Sequence, residues 1–112
     1  MSKVQLNVPL ILETPERVAD GIGGYRLVWR PLGQLWAGMR AGAGGERFAE
    51  VGAKSVVTWR ITVRAALAGD PRRPRAEQRL RMGTRLFRIA SVAEEGAGGR
   101  YLTCIATEEA MA

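Results

Sequence analysis

The chain contains no histidine and a single cysteine, Cys104. Without histidine the commonest general base is missing, and no serine or cysteine stands beside a group that would activate it. A lone cysteine cannot close an internal disulfide, and zinc would find neither an imidazole nor a second thiolate. Lysine is scarce as well, since 15 of the 17 basic residues are arginine. No apolar run reaches the length of a membrane span. The opening MSKVQLNVPLILE lacks the charged lead, unbroken apolar core and small-residue cleavage site of a signal peptide. The expectation is a protein made and kept in a cytoplasm, or in something assembled there, with no membrane contact.

The 11 acidic residues offer no convergent pair. Glu94 with Glu95 and Glu108 with Glu109 are sequence neighbours, and on a strand neighbours point to opposite faces, so they read as groups solvating strand ends. No enzyme and no cofactor are expected.

What is present is β patterning. In SVVTWRITVRAA, Ser55 to Ala66, the residues Val57, Trp59, Ile61, Val63 and Ala65 alternate with Val56, Thr58, Arg60, Thr62 and Arg64. This period of two describes a strand with one side on a core and the other in water. An isolated strand leaves its backbone donors and acceptors unmet, so partners on both sides are required. With 112 residues and 46% hydrophobic content, the whole chain, 1–112, is expected to form one domain around one core.

Around this centre the same pattern recurs. Val4 to Thr14 reads as a strand whose Pro9 suits an edge or a bulge, and the run TPERVADGIGG reads as a turn. Gly24 to Pro31 and the following QLWAGMRA read as two strands broken at Pro31-Leu32-Gly33 and forming a meander with the central one. Trp29, Trp36 and Trp59 fall on the apolar phase and are read as core anchors rather than as a base-stacking platform. RLRM, Gly83-Thr84 and RLFRIASV form a hairpin, with a bulge near Ala90 or Ser91 because Val92 lies three beyond Ile89. RYLTCIAT closes the sheet, and EEAMA is a short tail. The expected fold is all-β, a small antiparallel β-barrel of six to seven strands.

Two long loops interrupt it. Gly42 to Lys54, GAGGERFAEVGAK, has a glycine lead into ERFAEV, which could make a helical turn or two with Phe48 and Val51 on one side. Leu67 to Gln78, LAGDPRRPRAEQ, carries Arg72, Arg73 and Arg75 and has little to bury. Charge is one-sided: Arg60 to Arg88 holds nine arginines against Asp70 and Glu77, a net of +7, while the rest of the chain has eight basic and nine acidic residues. A polyanion or an acidic protein surface is the implied partner.

The order of these pieces, GYRLVWRPLGQLWAGMRA, ERFAEVG, RITVRAA, then RLRMGTRLFRIASVAEE with its spacing Gly83, Phe87, Ile89, and RYLTCIATEE, resembles the bacteriophage head closure and head-tail joining (stopper) family. Within that family it is most similar to neck proteins of the gene transfer agents of alphaproteobacteria, phage-like particles that carry host DNA. The resemblance implies a β-barrel subunit of a homo-oligomeric ring, six copies for a six-fold tail, in a particle assembled in the bacterial cytoplasm. Its neighbours would be the portal-adaptor ring above and the tail terminator and tail tube below, with DNA passing through the channel without sequence specificity. It also implies that the loop Gly42 to Lys54 gates the channel, with Glu46, Arg47, Glu50 and Lys54 facing it and the glycines as hinge. Arg72, Arg73 and Arg75 would then meet an adjacent ring or the DNA. A tail terminator or another neck ring is the alternative within the class. A free nucleic-acid-binding SH3-like or OB-like barrel lies outside it and would need aromatics beside the arginines.

Overall fold

A computed structural model describes residues 5–42, 48–51 and 54–111. Seven strands follow in chain order: β1 Val8–Ala19, β2 Tyr25–Ala41, β3 Phe48–Val51, β4 Lys54–Arg64, β5 Arg79–Met82, β6 Arg85–Glu95 and β7 Tyr101–Met111. Every pairing is antiparallel. The sheet runs β2-β1-β5-β6-β7-β4-β3, and a further pairing of β2 with β4 closes six of the strands into a barrel.

Alternation decides which side chains enter it. Leu10 and Leu12 of β1, Ala37 of β2, Ile61 and Val63 of β4, Leu80 of β5, Phe87 and Ile89 of β6, and Leu102, Cys104 and Ala106 of β7 are all buried. These are the i, i+2 positions of each strand, so the barrel is filled by its own inward side chains. Trp59 packs on this core with its ring edge-on to Phe87, centroids 5.9 Å apart.

The strand that organises the sequence also organises the barrel. One edge of β4 pairs with β7 from Lys54↔Met111 to Arg64↔Tyr101. The other edge is divided: Lys54 to Val57 takes β3, and Trp59 to Val63 takes the end of β2. The hairpin β5–β6 forms as expected around Gly83-Thr84, and the register slip between Ile89 and Ser91 places the bulge where the spacing of Val92 requires it.

Four local expectations are corrected. The ERFAEV stretch carries a strand at Phe48–Val51 rather than a helical turn, because the open edge of β4 offers it a ladder of backbone partners. Pro31 does not break the second strand: β2 runs through, and the irregularity appears as a bulge opposite Leu12/Glu13, where a missing amide donor is tolerated. The turn expected over 14–24 is confined to Asp20–Gly24, since β1 continues to Ala19. The last strand also runs on through the presumed tail to Met111.

Two extensions leave the barrel. Beyond Glu13, β1 pairs with β2 alone, so 14–30 forms a two-stranded arm. On the other side β3, the start of β4 and the end of β7 form a three-stranded flap. The molecule measures 56 × 36 × 21 Å with a radius of gyration of 15.2 Å. A compact domain of this length would have about 13 Å.

Candidate functional site

Nothing in the described part of the chain gathers acids, bases and a nucleophile around a cleft. The features able to do work are its surfaces, and each follows from strand register.

The arm has two unlike faces. Pro15, Arg17 and Ala19 lie opposite Trp29, Leu27 and Tyr25, which makes one face largely apolar. Tyr25 is 64% and Leu27 54% exposed, and Ile22 at the tip is 88% exposed. Arg17 stacks over the Tyr25 ring at 4.7 Å and Arg79 over the Trp29 ring at 4.2 Å. The opposite face is the more polar one: Val18 and Val28 stand on it with Thr14 and Arg26, and it carries the Glu16–Arg30 ion pair at 2.8 Å. At the tip, Asp20 Oδ1 accepts from the amides of Ile22 and Gly24, both at 2.9 Å, and these bonds hold its carboxyl below the usual range.

At the arm's root Glu13 is 5% exposed and accepts from Arg79 Nε at 2.6 Å and Arg81 Nε at 2.9 Å. Burial alone would raise its pKa, but the two guanidiniums outweigh it and lower it. At the barrel end beside the flap, Glu108 accepts two bonds from Arg85, at 2.7 and 2.9 Å, and one from Trp59 Nε1 at 3.0 Å. Arg85 is the larger reason its pKa is lowered, with Trp59 adding to it. Cys104 is buried and its thiol is pushed up to about 12 by that burial, so it is a core residue and no nucleophile.

Of the gate-loop residues, Glu46 and Arg47 lie outside the described residues. Glu50 and Lys54 stand at the end of the β3–β4 hairpin, where Glu50 is opposite Ser55 and Lys54 opposite Val51. In the second loop the three arginines have different situations. Arg72 is exposed and lines a groove with Arg64, Trp36 and Leu6. Arg73 turns back on the barrel, donating from Nη1 to the Ala66 carbonyl at 2.7 Å and lying 4.0 Å from Glu94. Arg75 is exposed over a cleft against the arm's polar face, lined also by Glu16 and Arg30. The loop is better anchored than its composition suggests, with Pro74 buried and Gln78 Oε1 accepting from the Arg75 amide at 2.8 Å.

Two of the three tryptophans are not core anchors. Trp36 is 53% exposed on the outer side of β2, and Trp29 sits on the arm beneath Arg79, leaving Trp59 alone in the anchoring role. Sequence reasoning also missed the outer wall made by β2, β4, β7 and β6. There Arg40 is the register partner of Arg60, Arg60 faces Ile105, and Arg88 faces Thr107, which faces Thr58. Thr62 and Ser91 complete a hydroxyl-lined basic surface. Its signal was in the sequence as the polar phase of the central strand, but the arginines from β2 and β6 join it only through the barrel's closure.

A small closed β-barrel with two projecting extensions and a filled interior offers its surfaces, not a cleft, for contact. The model of the phage head completion protein family matches residues 1–109, and the chain belongs to that family, a family of structural proteins. A chain from the solved virion of a native gene transfer agent particle is 50% identical, superposes with a TM-score of 0.83, and is covered over 100% of its length by 98% of this chain. A search of curated proteins finds no match.

Proposed function

We propose that this protein is the head closure subunit of a phage-like particle. Copies of it form a ring between the portal-adaptor and the tail, join head to tail, and gate the channel through which DNA passes. The observation that carries the reading is the 50% identity, over essentially the whole of both chains, with a component of a gene transfer agent virion. The shape supports it. Two extensions on one barrel give a subunit two unlike sets of contacts, as a ring with head-to-tail interfaces demands. The arm's apolar face would be covered by neighbouring protein, and the flap, with Glu50 and Lys54 at its end, would supply the gate.

Electron microscopy of purified particles tests this directly. The expected result is a ring of this chain between portal-adaptor and tail. A chain absent from filled, tailed particles would overturn the proposal.

A further inference from the structure

The proposed function says that DNA passes, but not which surface of the subunit meets it. Register singles one out. Arg40 and Arg60 are direct partners on β2 and β4, on the side opposite the buried Ala37, Ile61 and Val63. Like charges facing each other across a strand pair destabilise it. Arg88 likewise faces Arg79 across the β5–β6 pair, but Arg79 has a carboxylate partner, as do Arg81 and Arg85. Arg79 and Arg81 share Glu13, and Arg85 has Glu108. On this wall no carboxylate among the described residues lies within ion-pair distance of Arg40, Arg60, Arg64 or Arg88. The wall therefore holds positive charge at a cost to the free subunit.

Its other members suit the same partner. Thr58, Thr62, Thr107 and Ser91 stand in the rows between and beside the arginines and can donate to phosphate oxygens. Neighbouring strands are about 4.8 Å apart and same-face rows about 7 Å apart, so Arg40, Arg60 and Arg88 fall within one short stretch of a duplex backbone. The one apolar side chain in the middle of the wall is Ile105, between Arg60 and Ser91, an aliphatic group that can neither stack on a base nor hydrogen-bond its edge, which fits contact with backbone rather than with bases. We propose that this wall, centred on Arg40, Arg60 and Arg88, is a sequence-independent contact surface for DNA phosphates. The inference rests on the head closure reading and deepens it.

The test uses the full chain and a random-sequence 30-base-pair duplex, with binding followed by fluorescence anisotropy from 50 to 200 mM NaCl. Three phosphate contacts give a slope of log K against log salt of about −2.7. The triple variant Arg40→Ala, Arg60→Ala, Arg88→Ala should lose that slope and bind at least tenfold more weakly at 50 mM. A charge-matched control, Arg17→Ala, Arg26→Ala, Arg100→Ala, should keep it. The wall variant should also melt at or above the wild-type temperature, because the Arg40–Arg60 repulsion is gone. Equal losses in both variants, an unchanged slope in the wall variant, or a wall variant melting more than a few degrees lower would each overturn the proposal. If the wall variant binds DNA normally but no longer enters particles, the wall contacts protein, and the DNA assignment fails while the place in the ring stands.

Discussion

Glu13 shows how this barrel treats a buried charge. It is kept from water by two arginines that satisfy both its oxygens, so removing it leaves two guanidiniums facing one another. Glu13→Gln should cost about 1.5–3 kcal/mol at neutral pH, measured by denaturant unfolding. Its pKa and that of Glu108 are both lowered by folding from the ordinary 4.5. Their stabilisation is therefore complete above that value and lost as pH falls through the lower folded values. Stability should fall in acid below about pH 4.5. The gap between wild type and Glu13→Gln should close over the same range, since both then carry a neutral group. Gly38 makes a second point at this scale: a Cβ built there would lie 2.6 Å from the backbone oxygen of Gln5. A backbone atom cannot swing aside as a side-chain end does, so Gly38→Ala should displace the segment 5–7 and cost about 1–3 kcal/mol. Hydrogen exchange at residues 5–7 alongside a melt would show it.

Among the elements, the arm separates what folds the chain from what assembles it. Its outer residues are two strands with no third to lie on, an arrangement that is marginal in water by itself. Replacing Tyr25 and Leu27 with serine should therefore leave the barrel's melting within a few degrees, yet markedly reduce incorporation into particles, read by comparing free and particle-bound protein. The elements also show what the sequence made legible. The central strand, the Gly83-Thr84 hairpin and the bulge before Val92 could be read because period two and glycine punctuation are local signals. The continuity of β2 through Pro31 could not, since a bulge opposite β1 absorbs the proline and that partner is distant in sequence. Trp36 misled as well. It shares its phase with Gln34 and Arg40, while the alternate residues Leu35, Ala37 and Met39 are the ones the closed barrel turns inward. The arginine wall was legible only in its β4 part, and Arg40 and Arg88 reach it through pairings with β4 and β7.

At the scale of the molecule, the flap and the second loop carry the remaining expectations. Deleting 44–52 removes β3 but none of the buried core found among the described residues, so the variant should fold with little change in melting. Under the gating proposal, heads filled in its presence should leak DNA, measured as nuclease-accessible DNA in purified particles. Retention equal to wild type would place the gate elsewhere. The way β4 is held has a mechanical result. It is laced to β7 along all 11 of its residues, and on its other side to β3 first and to β2 after. A pull on the flap along that strand is met by many backbone bonds loaded side by side, so the tension is shared and passes into the barrel as sliding shear, where a short hairpin on a hinge would unzip one rung at a time.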